Sequence, residues 1–207
     1  SHYICGRAQL KTRDFVVRFA GEGGQGMVTA AEALAQAAAQ VGYHVVTYTT
    51  FPSQIMGGPT WTQTRISTTH VLSAGDDLDV LMALNFEAYQ THHSEIREGG
   101  VIVHDSSFEL PDDSRAIAVP FDGLAKQAGE ARSANMVMMG ALAHLLNMPL
   151  EYFENFVTKR FKGRENIINA NIAALRLGQA HVASTEMQIG ELGEPSPPDV
   201  SQVLVKG

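Results

Sequence analysis

Cysteine is almost missing from this sequence: among 207 residues there is only Cys5. One thiol cannot close an internal disulfide, and alone it cannot hold a conventional cysteine-ligated iron–sulfur cluster. Cys5 lies in a mixed polar and basic stretch with no adjacent base, which reads as an inert thiol of a reducing, cytoplasmic compartment. Clustered positive charge is lacking too. The net charge of −7 argues against nucleic acid or anionic membrane as a partner, because phosphate neutralisation needs grouped Lys and Arg. No apolar run approaches the roughly 20 residues of a membrane span, and the first residues show no basic segment followed by an apolar one.

Several catalytic patterns are absent as well. The eight histidines form no H-x-x-x-H or H-E-x-x-H, and His92 and His93, adjacent on a predicted helix, point about 100° apart. No G-x-S-x-G nucleophile elbow occurs. Asp76, Asp77 and Asp79 lack the rest of a calcium loop and read as a solvated turn. His104 and Asp105 fall at a predicted strand end, where open α/β sheets bind ligands, although a solvated turn explains them better.

The sequence does contain a glycine-rich stretch, Gly21-Glu22-Gly23-Gly24-Gln25-Gly26. It follows the apolar run Phe15-Val16-Val17-Arg18-Phe19-Ala20 and opens onto an Ala-rich segment from Met27. A strand, a glycine turn and a helix in that order make a phosphate cradle, because glycine allows positive φ and the helix N-terminus offers free amides. The spacing also satisfies the dinucleotide pattern G-x-G-x-x-G, but the acid that should end the second strand is missing from His44-Val45-Val46-Thr47-Tyr48-Thr49-Thr50, which counts against a nicotinamide site. The plain alternative is a turn that merely lets helix and strand pack closely. Glu22 opposes an anion only if its side chain faces into the loop.

With 44% hydrophobic and 18% charged residues, the chain suits one well-buried domain. Residues 1–13 read as a lead-in. Strands are expected at about 15–20, 44–50, 61–67, 80–84, 101–104 and 115–119, and helices at about 27–41, 87–98, 121–128, 134–146, 150–161 and 166–181. The prolines and glycine pair of Phe51-Pro52-Ser53-Gln54-Ile55-Met56-Gly57-Gly58-Pro59 mark a loop of special backbone geometry. The Met-rich stripe of Met136, Met138 and Met139 reads as core filling ahead of a binding surface. Together these elements predict a three-layer α/β/α, Rossmann-like domain over 14–182, with a mostly parallel sheet and a helical C-terminal half. Residues 183–207 turn polar and Pro-rich, as a linker would, and Val203-Leu204-Val205-Lys206-Gly207 reads as the start of another strand.

The glycine stretch, the Phe51-Pro52-Ser53 to Gly57-Gly58 loop, the Arg65-Ile66-Ser67 and Asp79-Val80-Leu81 strands, and Asn135-Met136-Val137 leading into Gly140-Ala141-Leu142 occur in one order. In that order they resemble the gamma domain of 2-oxoacid:ferredoxin oxidoreductases, over about residues 15–181. The linker and chain end further resemble the fused arrangement in which gamma precedes an alpha (pyrimidine-binding) domain, typical of 2-oxoglutarate-type enzymes. The resemblance implies oxidative decarboxylation of a 2-oxoacid, 2-oxoglutarate to succinyl-CoA and CO2, with electrons passed to ferredoxin. It places thiamine diphosphate, its Mg ion and the iron–sulfur clusters on the alpha and beta (diphosphate-binding) parts or other subunits. To the gamma domain it assigns assembly and the holding of coenzyme A, with no catalytic residue and no metal. Carried over by motif, the coenzyme contacts are Gly21, Gly23, Gly24, Gln25 and Gly26, beside Ser53, Gly57 and Gly58. Many relatives have an Arg where this chain has Met56; Arg65 or Arg18 would have to replace it, unless each has a structural role. The rival readings are an interaction module with no ligand at the glycine loop and a free nucleotide-binding protein.

Overall fold

The computed structural model describes residues 14–23, 26–50 and 59–196. Strand β1, Asp14–Glu22, is buried from Phe15 to Gly21, as its apolar run, interrupted only by Arg18, demands of a central strand. Helix α1, Met27–Val41, buries Met27, Ala30, Ala31, Leu34, Ala37 and Ala38, a stripe at helical spacing whose small side chains let it sit close to the sheet. It stops at Gly42, whose left-handed backbone (φ 108) donates its amide to the last carbonyls. The remaining strands are β2 (His44–Thr49), β3 (Pro59–Ser67), β4 (Leu78–Ala83), β5 (Ile96–Asp105) and β6 (Ala116–Val119). The remaining helices are α2 (Phe86–His92), α3 (Phe121–Ala128), α4 (Ala134–Leu145), α5 (Glu151–Arg160) and α6 (Glu165–Ala183).

The strands form one sheet in the order β2-β3-β1-β4-β5-β6. Strand β3 runs antiparallel between β2 and β1, while β1, β4, β5 and β6 pair in parallel. Five strands therefore point one way, giving the mostly parallel sheet that was expected. The expected β1-α1-β2 unit has both its strands in the same direction, but β3 is inserted between them. One face carries the large core under α1 and α3 to α6. The other face holds a smaller cluster, Val16, Ala20, Leu81 and Ile102, under Ala88 and Tyr89 of α2.

The helix expected over 87–98 ends early. It stops at His92, passes through a short 3-10 turn at His93–Glu95, and Ile96 already begins β5 opposite Leu78. Gly99 and Gly100, which follow the expected helix in sequence, lie inside β5. Pairing with β4 and the packing of Ile96 into the smaller cluster outweigh local helix propensity. Met136, Met138 and Met139 are all buried, so the methionine stripe is core. Beyond α6 the chain runs back along the sheet: Leu192 enters the main core, Tyr43 donates its hydroxyl to the Gly193 carbonyl (3.1 Å), and Ser196 N–H bonds the Thr68 carbonyl (2.8 Å).

Asp79 breaks the apolar character of β4. It is buried, accepts the Val16 amide at 2.8 Å and lies 3.2 Å from Arg97 Nε. Burial pushes its pKa up to about 6, against the lowering effects of the Val16 amide and Arg97. An acid whose folded pKa exceeds its unfolded value stabilises the fold more as pH falls through the folded value, and less as pH rises. Asp79→Asn keeps an acceptor for Val16 and removes the buried charge. At pH 7 the variant should be more stable than wild type by about 1–2 kcal/mol, and the gap should close as pH is lowered from 7 to 5 in thermal melts. A gap that widens toward pH 5 would contradict this assignment.

Candidate functional site

The site is built where the sheet reverses direction. From β1 the chain crosses through α1 to one side of the sheet, and from β4 it crosses through α2 to the other. The crevice outside the carboxyl ends of β1 and β4 is therefore the switch point at which open α/β sheets bind ligands. Leu84 N–H bonds the Ala20 carbonyl (2.9 Å), carrying the parallel pair up to this edge, and the Asn85 side chain then caps α2 by accepting from Ala88 N–H (2.8 Å).

The glycine stretch arrives at the same edge. Gly21 is still a strand residue, paired with Thr60, so it belongs to β1 and not to the turn. Gly23 follows β1 directly. Gly26 is the N-cap of α1 and takes the left-handed conformation (φ 79, ψ 13) that an L side chain resists. It offers no side-chain cap, and the first turn of α1 carries no acid. The first amides of an α-helix have no intrahelical acceptor, so this end presents donors and positive potential. Strand alternation puts Glu22 on the face of Ala20, opposite the face covered by α1. Its side chain therefore does not face the helix end.

Gly24, Gln25, Ser53, Gly57 and Gly58 lie outside the described residues. Their flanks do not: Glu22 pairs with Pro59, and Thr50 Oγ1 takes part in two hydrogen bonds with the Trp61 backbone, accepting from its amide (3.2 Å) and donating to its carbonyl (3.1 Å). The described end of β1, Glu22, and the described start of β3, Pro59, thus lie side by side at one edge of the sheet. A residue without an assigned role meets Gly26. A Cβ on Gly26 would meet the Asn135 side chain, 3.6 Å from its Cβ and 3.9 Å from its Nδ2. Asn135 stands in the first turn of α4, half-buried. The sequence signal was its place at the head of the Asn135-Met136-Val137 motif, but nothing in that motif placed it against the glycine turn.

Arg18 and Arg65, considered as replacements for an Arg at Met56, are held elsewhere. Arg65 pairs with Asp14 (2.7 Å) and donates to Ser73 Oγ (3.1 Å). Arg18 is buried beneath the sheet among Gln63, His92, Glu95 and Trp61. His104 and Asp105 end β5 in a local turn: His104 Nδ1 lies 3.0 Å from the Asp105 carbonyl, and Asp105 Oδ1 accepts from Ser107 N–H (3.2 Å). Among the described residues no three His, Cys, Asp or Glu side chains gather as a metal site, and no helix is long and apolar enough to cross a membrane.

Residues 16–180 match the pyruvate ferredoxin/flavodoxin oxidoreductase family. The chain belongs to that family. Ketoisovalerate oxidoreductase subunit VorA of Methanothermobacter marburgensis is 34% identical over 172 residues, which cover 80% of this chain and 36% of the relative. The structure of 2-oxoglutarate:ferredoxin oxidoreductase from Magnetococcus marinus with 2-oxoglutarate, coenzyme A and succinyl-CoA bound superposes with a TM-score of 0.80 at 31% identity, over 91% of this chain and 34% of that one. The gamma subunit of a keto/oxoacid ferredoxin oxidoreductase from Geobacter sulfurreducens superposes with a TM-score of 0.73 at 27% identity, over 84% of this chain and 98% of that one. The chain thus spans about a third of the length of the first two relatives. Within the pyruvate ferredoxin/flavodoxin oxidoreductase family this fold forms a separate gamma subunit in one member and one part of a longer chain in others, as the self-contained core under α1 and α3 to α6 would allow. An antiparallel β3 between β1 and β2 also separates the family fold from a dinucleotide-binding unit, where those two strands are neighbours.

Proposed function

We propose that this chain is the gamma part of a 2-oxoacid:ferredoxin oxidoreductase that converts 2-oxoglutarate, with coenzyme A, to succinyl-CoA and CO2 while reducing ferredoxin. Its own contribution is to position coenzyme A and to hold the assembly together. The observation that carries this reading is the uncapped N-terminus of α1 at the switch point, headed by a left-handed glycine and free of acids in its first turn. Those features fit an anionic, phosphate-bearing ligand: the backbone approaches closely at Gly26, the leading amides donate, and the helix end favours negative charge. Asn135 adds an amide beside the same turn. The likeness to an enzyme whose structure has coenzyme A and succinyl-CoA bound supports the choice of ligand.

Thiamine diphosphate with Mg, held between the alpha and beta parts, and iron–sulfur clusters on other domains or subunits would supply decarboxylation and electron transfer. This chain's residues bind and orient: Gly21 and Gly23 shape the exit from β1, Gly26 and the first amides of α1 face the ligand, and Gly24, Gln25, Ser53, Gly57 and Gly58 complete the two loops. The test is an assay of the complex purified through this chain, with 2-oxoglutarate, pyruvate and 2-oxoisovalerate offered in turn. Acceptor reduction should require coenzyme A, and 2-oxoglutarate should lead in kcat/KM by about tenfold or more. Activity independent of coenzyme A, or purification of this chain without partners or cofactors, would overturn the proposal.

A further inference from the structure

Among the described residues four large apolar side chains are exposed: Val28, Tyr48, Leu72 and Phe86. Two of them stand at the candidate site. Val28 is the second residue of α1 and Phe86 the first of α2, the helices that leave the switch point on opposite sides of the sheet. A single apolar side chain on a surface is ordinary, but Phe86 is the end of a column of rings. It stacks on Tyr89, with ring centres 6.2 Å and planes 27° apart, and Tyr89 stacks on His93 at 4.7 Å and 17°. Both spacings are those of favourable ring pairs.

The column is fixed from behind. The Tyr89 hydroxyl donates to Asp113 Oδ2 (3.1 Å), and Arg115 grips the same carboxylate twice, Nε to Oδ1 (2.9 Å) and Nη2 to Oδ2 (2.7 Å). Arg115 Nη1 also donates to the His93 carbonyl (3.3 Å). The Arg115 guanidinium holds the Asp113 carboxyl well below the usual carboxylate range, so that carboxylate stays an acceptor for Tyr89. Tyr89 cannot turn without leaving this network. Its place along the helix matters as well. Helix α2 runs from its Asn85 cap, at the carboxyl end of β4, back to His92, and β5 then begins opposite Leu78 at the other end of β4. Tyr89 packs into the smaller cluster with Ala20, Leu81 and Ile102. Phe86, three residues earlier, shares that helix face but lies almost one turn closer to the carboxyl edge. It is therefore the end of the column that reaches the crevice, 39% exposed where Tyr89 is 6%.

A phenylalanine face offers no hydrogen bond and no charge, so the part of a ligand it suits is a flat π-surface. Coenzyme A has one aromatic ring system, its adenine, and a single ribose joins that base to the diphosphate. Its nucleotide end can thus engage both walls of one crevice. We propose that Phe86 is the stacking platform for the adenine of coenzyme A, on the wall opposite the helix end that takes the phosphates. The inference rests on coenzyme A binding at that edge.

The test compares coenzyme A with pantetheine, the same thiol arm without the nucleotide, as acyl acceptors of the assembled enzyme, and adds adenosine bisphosphate as a competitive inhibitor. Phe86→Ala should raise KM for coenzyme A and Ki for adenosine bisphosphate by about tenfold each, with kcat/KM for pantetheine within about twofold of wild type. Phe86→Leu, apolar but not flat, should behave like Phe86→Ala, and Phe86→Tyr should stay close to wild type. Equal losses with coenzyme A and pantetheine, an unchanged Ki in Phe86→Ala, or a loss of assembly with Ki unmoved would overturn the proposal, the last by showing that another part of the enzyme covers the ring. Gly26→Val, assayed alongside, separates the two ideas. If it raises KM for coenzyme A while Phe86→Ala does not, stacking on Phe86 alone is wrong; if neither does, the coenzyme reading falls as well.

Discussion

Gly178→Ala should be one of the most damaging single-methyl substitutions in this protein. Helices α4 and α6 cross with their backbones in contact. A Cβ on Gly178 would overlap the Val137 carbonyl oxygen and lie 3.0 Å from Val137 Cα; one on Gly140 would overlap the Leu175 carbonyl oxygen and lie 2.9 Å from Gln179 N. The two glycines face the same crossing from opposite sides, and the atoms they meet are main chain, which yields only if a whole helix moves. That movement would loosen the core around Met136, Met139, Ala174 and Leu175. The expected cost is about 3 kcal/mol or more, roughly 6–12 °C in thermal midpoint for a domain of this size. Gly123→Ala is the control. Gly123 lies inside α3, and an added Cβ would meet only Pro120 Cβ, at an ordinary 3.7 Å. There alanine should stabilise by about 0.5–1 kcal/mol through helix propensity. A Gly178→Ala melt within one degree of wild type would show that the helices do not cross this closely.

The parts of this architecture that could be read from the sequence are those set by local chemistry. The apolar run from Phe15, the alanine stripe from Ala30 to Ala38 and the stop at Gly42 define β1, α1 and their connection. Phe121–Ala128 forms a helix with the expected bounds. What could not be read depended on distant partners. Alternation over residues 61–67 shows a strand but not its neighbours, so the antiparallel insertion of β3 between β1 and β2 was hidden. Ile96 follows a helical segment in sequence, yet its pairing with Leu78 makes it strand. At the site, Gly26 takes the positive φ that glycine allows, whereas Gly21, nominally the first glycine of the turn, is held in β1 by Thr60. Arg18 gave a warning as a lone cation within an apolar strand, but its partners lie 45 to 77 residues away. Asn135 reaches the glycine turn only because α4 packs across the start of α1.

The second large effect is expected at Gly26, and it is functional. Valine there must adopt φ near 79, which costs a β-branched residue on the order of 1–3 kcal/mol, or else the turn must move. Its branch would also crowd the Asn135 side chain, already 3.6 Å from the Cβ position. Either way the leading amides of α1 no longer meet the ligand at the same place. KM for coenzyme A should rise by about tenfold to a hundredfold. KM for the 2-oxoacid and kcat at saturating coenzyme A should stay within about twofold, because the proposed role gives this chain the coenzyme and leaves the chemistry to other parts of the enzyme. A fall in kcat with KM for coenzyme A unchanged would mean that the turn serves assembly and touches no ligand.

The most direct measurement is therefore the affinity of the assembled complex for coenzyme A itself, by equilibrium dialysis, for wild type and Gly26→Val side by side. The account predicts intact subunit composition in both and a Kd weakened by about tenfold or more in the variant. Equal affinities in two correctly assembled complexes would contradict it, and would leave this chain as a scaffold whose glycine turn meets another subunit.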